Sequence, residues 1–111
     1  MKINLKELNM KPHPKFQGVK IAFILTKEKT QALSITMLEI EPGIEIPIHS
    51  HEKEVDSILV LKGEGEIYIE DKKSSLKEGD CVVIFPGMKH GVKNTGTNPL
   101  ICYIVHAPAL W

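Results

Sequence analysis

Short segments of alternating apolar and polar residues, or of consecutive β-branched residues, dominate this chain of 111 residues. From about residue 30 onward, Gly, Pro, Asn and Asp interrupt these segments every eight to twelve residues or so, and helical spacing is rare. The pattern predicts an all-β sandwich or barrel. We expect strands at residues 19–26, 33–40, 46–51, 57–61, 66–70, 81–85, 91–94 and 100–106.

Four stretches refine this expectation. In residues 66–70, Ile67 and Ile69 alternate with polar neighbours, so this strand should have one exposed face and form a hairpin with residues 74–77. Residues 58–61 and 82–85 are continuously apolar, which predicts that the strands at 57–61 and 81–85 are covered on both faces. Prolines interrupt the N-terminal region, which predicts an arm or edge strands over residues 1–30.

Length and charge limit the classes of function. A chain of this size can bury one hydrophobic core, so we predict a single domain over residues 1–111 with its core barrel at 35–106. Acidic and basic residues balance at 14 each, which argues against nucleic-acid or anionic-membrane partners. Arginine is absent, so an anionic ligand must be bound by lysine, backbone or metal.

The cysteines and the N-terminal sequence bear on the compartment. Cys81 and Cys102 lie in apolar segments and lack C-x-x-C spacing, which predicts buried free thiols rather than a zinc ribbon or a redox pair. The N-terminal residues contain no apolar segment typical of a secretory leader, and no stretch resembles a membrane span. We therefore expect a cytoplasmic protein.

The strongest chemical signal is the pair His49 and His51 in an expected strand. Side chains two residues apart on a strand point to the same face, so both imidazoles can approach one metal ion. Two further residues are candidates for the same ion: Asp56, at the start of the next strand, and His90, which follows the Pro86-Gly87 turn.

These residues give the chain a specific resemblance to the cupins, the small double-stranded β-helix or jelly-roll barrels. The first cupin motif is matched by Gly43, His49, His51, Asp56 and Gly63, with Asp56 where the family normally has glutamate. The second motif is matched by Gly79, Gly87, His90 and Asn94, with Phe85 in place of a proline. The resemblance covers residues from about 35 to 106.

The resemblance implies a ligand set of His49, His51, Asp56 and His90. Three imidazoles and a carboxylate suit a divalent transition metal, Fe, Mn, Ni, Zn or Cu, and leave coordination positions free. Aspartate is one methylene shorter than glutamate, so Asp56 is the member whose coordination is in question. The resemblance also implies a homodimer.

Other residues are candidates for catalysis or for closing the barrel. His106 and Tyr103 lie on the last expected strand, where an imidazole or a phenol could serve as acid or base near the metal, but their opposite parity allows only one of them to face the interior. The alternative for His106 is a solvent-facing strand end. His13 is expected to be exposed, and the tail ending in Trp111 is expected either to dock on the barrel or a second subunit, or to fray.

Cupins include both enzymes and binding proteins, so two classes of function remain open, beside a third in which the barrel is structural and its site empty. The first is a metal-dependent small-molecule enzyme, dioxygenase-like or sugar isomerase-like, whose substrate chelates the ion through two oxygens. The second is a non-catalytic protein that binds or senses a metal or a small ligand. An ionisable group inside the barrel beyond the metal ligands would favour the enzyme.

Overall fold

The computed structural model describes all residues 1–111 and contains ten strands and one short 3₁₀ turn at Leu5–Glu7. The strands are β1 Lys11–Pro12, β2 Val19–Leu25, β3 Ser34–Ile40, β4 Glu45–His49, β5 Val55–Lys62, β6 Glu64–Ile69, β7 Lys72–Lys77, β8 Cys81–Ile84, β9 His90–Asn94 and β10 Leu100–Ala107. The all-β prediction is confirmed. The chain has no helix with the length and hydropathy needed to span a membrane.

The strands form two antiparallel sheets that face each other across one core. The larger sheet has the order β1-β2-β3-β10-β5-β8, and the smaller has the order β4-β9-β6-β7. Non-consecutive neighbours such as β3 and β10 are typical of a jelly-roll. Fourteen buried apolar residues fill the interior: Val19, Ile21, Leu38, Ile40, Ile46, Ile58, Val60, Ile67, Leu76, Ile84, Val92, Leu100, Cys102 and Ile104.

The central strand β10 shows how this core is specified. Its residues alternate strictly between buried and half-buried, with Leu100, Cys102, Ile104 and His106 on the buried face. Because the side-chain period of a strand is two, this face points into the barrel along the whole strand. Tyr103 therefore lies on the opposite face, in register with Met37 of β3 and Leu59 of β5.

The prediction that residues 81–85 are covered on both faces is wrong. Strand β8 is an edge strand of the larger sheet, and Val83 and Phe85 are 47% and 60% exposed. Cys81 is also exposed, so only Cys102 is the buried thiol expected for both cysteines, and both are free. An apolar run indicates a strand, but whether a second layer covers its outer face depends on its place in the sheet.

The predicted hairpin is confirmed, but its turn lies at residues 70–71, so the second strand begins at Lys72 rather than at residue 74. Strands β6 and β7 pair from Glu64 with Lys77 to Ile69 with Lys72. The turn between them contains Glu70, whose φ of 56° lies in the left-handed region. Tyr68 lies on the exposed face of β6, as the alternation predicts.

Asn94 fixes one corner of the barrel at the end of β9. Its side-chain amide donates hydrogen bonds to the carbonyls of Ile40 and Asn98, each at 2.8 Å, and its oxygen accepts one from the Gly96 amide at 2.9 Å. The residue is fully buried, so these three bonds replace the water that its amide loses on folding.

Both ends of the chain are held against the barrel. Strand β1 pairs with β2, which makes the predicted N-terminal arm an edge of the larger sheet. At the other end, the Lys27 amide donates to the carbonyl of Trp111 at 2.7 Å, and the Leu110 amide donates to the hydroxyl of Ser34 at 3.0 Å. Trp111 packs against the core, so the docked alternative for the tail is the one observed.

Candidate metal centre

Four histidines and one aspartate converge inside the barrel. His49 ends β4, His51 lies two residues beyond it, and Asp56 is on β5. His90 begins β9 and His106 is on the inward face of β10. All five line one cavity.

Strand register explains why residues so distant in sequence meet. His49 pairs with His90 across β4 and β9, and Asp56 pairs with His106 across β5 and β10. The first pair belongs to the smaller sheet and the second to the larger. The cluster therefore lies between the two sheets, with each sheet contributing one directly opposed pair.

Asp56 lies at the centre of the cluster. Its Oδ2 atom is 3.2 Å from Nε2 of His90, 3.3 Å from Nε2 of His106 and 3.7 Å from Nε2 of His51. The carboxylate is buried, so these contacts act with little screening by solvent. One oxygen is thus shared among three imidazoles.

Backbone carbonyls fix the orientation of two of the rings. Nδ1 of His49 lies 2.8 Å from the carbonyl of Pro47, and Nδ1 of His90 lies 3.0 Å from the carbonyl of Met88. A carbonyl can only accept, so the proton is on Nδ1 in both rings, and a neutral imidazole then has a free lone pair on Nε2. Such a contact is the usual way in which a protein orients a metal-binding histidine.

Burial and mutual repulsion keep two of the imidazoles neutral. Burial lowers the pKa of His51 to about 4, helped by its neighbours His106 and His49. The pKa of His49 is also lowered, chiefly by burial. Neutral imidazole is the form that binds a metal.

The pKa values of Asp56 and His90 shift in the directions expected of a charged pair. Burial alone would raise the pKa of Asp56, but hydrogen bonds from His106 and His90 outweigh it and lower that pKa. Burial alone would lower the pKa of His90, but its contact with Asp56 and the Met88 carbonyl raise it. In the absence of an ion, a proton on His90 is thus favoured by the carboxylate.

The donor atoms fit a divalent transition metal. The ligand atoms of His49, His51 and His90 lie within 4.8 Å of one another, and those of His51, Asp56 and His106 do the same. Oδ1 of Asp56 and Nδ1 of His106 are buried without any hydrogen-bond partner. The cluster therefore contains polar atoms that could bind an ion or a ligand. Imidazole nitrogens with one carboxylate are a donor set for Zn, Cu, Ni, Mn or Fe.

The four residues expected at the metal, His49, His51, Asp56 and His90, line one cavity, but the donor atoms of Asp56 group with those of His51 and His106, and those of His49 with His51 and His90. The strand expected to run to residue 51 ends at His49, yet His51 still points into the cavity. Of the two catalytic candidates, His106 is buried in the cluster, so the solvent-facing alternative for it is wrong. Tyr103 lies outside the cavity because its parity on β10 is opposite, and it is no longer a candidate.

The cavity extends well beyond the cluster. Its volume is about 340 Å³, and its lining includes Lys15, Phe16 and Trp111 as well as apolar core residues. His13 also lines it, so the prediction of an exposed His13 is wrong. Sequence alone gave no signal for this placement, because it depends on the pairing of β1 with β2 rather than on local spacing.

Known proteins resemble this chain in sequence and in fold. A family model described as a cupin domain matches residues 36–106. An oxalate-binding protein from Thermotoga maritima is 31% identical over 84 residues, which cover 74% of this chain and 69% of the relative. An uncharacterized protein from Aquifex aeolicus is 45% identical over 51 residues, which cover 46% of this chain and 41% of that protein.

Solved structures show the same likeness. The crystal structure of a predicted oxalate decarboxylase from Thermotoga maritima superposes with a TM-score of 0.88 at 26% identity, over 97% of this chain and 99% of that one. A Klebsiella pneumoniae protein with a double-stranded β-helix domain gives 0.81 at 28% identity, over 96% and 89% of the two chains.

Proposed function

This chain belongs to the cupin family, and from that premise we propose that it is a metal-dependent enzyme acting on a small molecule. The metal ligands are His49, His51, His90 and Asp56, and the substrate chelates the ion through two oxygens. The reaction class is that of a dioxygenase or of a sugar isomerase.

One observation carries the proposal: a buried carboxylate oxygen lies within 3.2–3.7 Å of three imidazole nitrogens inside a cavity. Burying a carboxylate and several imidazoles costs solvation free energy, so a buried cluster of them indicates a site that binds an ion or a ligand. A bound divalent metal supplies a Lewis acid that polarises the substrate oxygens.

The chain supplies the rest of the chemistry through His106. This residue is buried in the cavity, and its Nε2 atom lies 3.3 Å from Asp56 Oδ2. We assign it the role of holding a proton for the substrate, with Asp56 orienting its ring. An ionisable side chain inside the barrel beyond the four ligands favours an enzyme over a passive binding protein.

The second candidate is a protein that binds a small ligand without changing it. It is favoured by the similarity to a protein named as oxalate-binding. In this case His106 would be a further contact to the metal or to the ligand. The two candidates differ in whether the bound molecule is consumed.

Metal analysis tests the first requirement of the proposal, that the protein binds a transition-metal ion. We expect protein purified without added metal to contain close to one transition-metal ion per chain, and His49→Ala to lose it. The matched control is His13→Ala, which removes the one histidine that lies outside the cluster and should leave metal content unchanged. Absence of metal from the wild type, or equal loss in the control, would overturn the proposal.

Ligand consumption then separates the two candidates. Metal-loaded protein is incubated with oxalate, with a catechol and with a neutral sugar, and products and oxygen uptake are followed. If one of these compounds is consumed by the wild type, and His106→Gln loses this activity but keeps the metal, the proposal of an enzyme is supported. Stoichiometric binding without turnover of any of the three supports the binding protein.

We also propose that the protein is a cytoplasmic homodimer that pairs through the outer face of the larger sheet. Val83 and Phe85 are exposed at the edge of that sheet. Val83 pairs with Ser57 of β5, and the outward-facing Leu59 and Tyr103 on β5 and β10 are half-buried. Exposed apolar side chains on one face of a sheet are typical of interaction sites. A second copy is the partner that the family resemblance implies.

A further inference from the structure

The cavity that contains the donor cluster has an aromatic rim that metal binding does not require. His13 and Phe16 lie in the N-terminal arm, with ring centroids 4.7 Å apart, and Trp111 meets His13 edge-on at 5.7 Å. On its other side Trp111 contacts Phe23 at 5.2 Å. Phe16 and Trp111 both line the cavity and are only half-buried, so part of each ring is free to meet a ligand.

Hydrogen bonds hold this rim in place without any ligand. The amides of Lys15 and Phe16 both approach Nδ1 of His13, at 3.0 and 3.3 Å, so this nitrogen is an acceptor. Burial and the neighbouring Lys15 lower the pKa of His13, which favours the neutral ring that such bonds need. Backbone bonds from Lys27 and to Ser34 hold the Trp111 segment. An ordered rim loses little entropy when a ligand binds.

The size of the cavity argues against a very small ligand. Its volume of about 340 Å³ lies within the range of roughly 300–1,000 Å³ typical of pockets that enclose drug-sized molecules. Oxalate, with only six non-hydrogen atoms, would occupy only part of this volume. The intervening walls are apolar, with Ile21, Leu38 and Ile104 among them.

Charge indicates the sign of the ligand. Lys15 is the only lysine lining the cavity, and Asp56 is the only acidic residue there. With a divalent cation bound near Asp56, the cavity carries a net positive charge. An anionic ligand is therefore favoured over a neutral one.

We propose that the substrate is a planar, anionic ring compound with two adjacent oxygens, of the class of carboxylated catechols. This inference rests on the proposed function, because the two oxygens are the pair that chelates the metal. The ring lies against Phe16 and Trp111, where offset or edge contacts between aromatic rings are favourable. The carboxylate faces Lys15.

Zinc-loaded protein provides a test that does not depend on turnover, since zinc has no redox chemistry. Binding of 3,4-dihydroxybenzoate, whose carboxylate points away from its two hydroxyl groups, is measured with that of gluconate and oxalate by calorimetry and by the fluorescence of Trp111, the only tryptophan in the chain. We expect the ring compound to bind at least tenfold more tightly than oxalate or gluconate and to quench Trp111.

Variants of the rim decide whether the ring is bound as proposed. Phe16→Leu should weaken the binding of 3,4-dihydroxybenzoate by roughly three- to tenfold and leave that of oxalate within about twofold. Lys15→Gln should weaken the binding of 3,4-dihydroxybenzoate but not that of unsubstituted catechol. Phe85→Leu is the matched control, because Phe85 is exposed on the outside of the barrel, and it should change neither ligand.

Zinc content is measured for each sample, so that two kinds of failure are distinguished. If zinc is retained but oxalate binds as tightly as the ring compound, or Phe16→Leu behaves as the Phe85→Leu control does, the substrate class is wrong and the proposed function stands. If the wild type retains no zinc, the proposed function fails and the substrate class fails with it.

Discussion

Nε2 of His90 lies 3.2 Å from Oδ2 of Asp56, and this contact joins the two sheets of the barrel at the candidate metal centre. His90 begins β9 of the smaller sheet and Asp56 is on β5 of the larger one. The aspartate, at the position where cupins normally have glutamate, thus reaches the histidines despite its shorter side chain.

The charge of Asp56 should decide which metals the site accepts. Asp56→Asn keeps the shape of the side chain but removes the anionic oxygen, so we expect affinity for Mn²⁺ to fall by roughly tenfold or more. Affinity for Zn²⁺ should fall less, because imidazole ligands suit zinc. Calorimetric titration with each metal measures both. Asp80→Asn is the control, since Asp80 accepts a hydrogen bond from the Lys77 amide outside the cavity, and an equal loss there would contradict the assignment.

The metal-free protein should lose stability as the pH falls from about 6.5 to about 4. The pKa of His51 is about 4 in the folded chain, against 6.5 for an unperturbed histidine. Between these pH values His51 binds a proton in the unfolded chain but not in the folded chain. The free energy of unfolding therefore falls with falling pH, by up to about 3 kcal/mol for this residue. His90 acts in the other window: its raised pKa contributes stability that is lost as the pH rises above 6.5.

Thermal melts in the presence of a chelator, taken from pH 4.5 to 6.5, check this expectation. His51→Gln removes the titrating group, and its melting temperature should depend on pH less steeply than that of the wild type. An unchanged slope in this variant would show that His51 is not the group responsible.

The side-chain amide of Asn94 should make a large contribution to the stability of the fold. In Asn94→Asp the two donors to the Ile40 and Asn98 carbonyls are lost, and a carboxylate replaces them in a fully buried position. We expect the free energy of unfolding to fall by about 3 kcal/mol, measured by chemical denaturation at neutral pH. Asn98→Asp is the matched control, because Asn98 is exposed and accepts only through its backbone. Similar losses in both variants would contradict this account.

A charge at the edge of the larger sheet should prevent dimerisation. Phe85 is 60% exposed beside the exposed Val83, and a buried, unpaired carboxylate in its place would be costly in an apolar interface. We expect light scattering to show a dimer for the wild type and a monomer for Phe85→Glu. Ile48→Glu is the control, because Ile48 is similarly exposed, at 51%, but lies on β4 of the smaller sheet. A monomeric wild type, or loss of the dimer in both variants, would reject this interface.

The sequence predicts most of the fold and of the donor cluster, because both depend on local spacing. The alternation in β6 is read directly from neighbouring positions, and the paired motifs indicate His49, His51 and His90. The sequence does not decide between His106 and Tyr103, because their opposite parity excludes one of the two without identifying which. Register with Asp56 resolves that choice, and register is a property of the assembled sheet.

Other features depend on tertiary neighbours that no local pattern reveals. The exposure of Val83 and Phe85 follows from β8 being an edge strand with no second layer outside it. His13 lines the cavity because the arm pairs with β2 and places it beside Trp111. In both cases the residue type gave an expectation for burial that its position in the fold reversed.

The bond from His90 to Asp56 spans 34 positions in the sequence, and it closes across two sheets rather than within a hairpin. A partly folded chain that has formed only its hairpins would contain histidines but no cluster. Capture of the ion by the full cluster would therefore come after barrel closure, and the free energy of binding there would add to the stability of the completed fold. A metal ion bound by the full cluster would then identify a molecule whose barrel is completely folded.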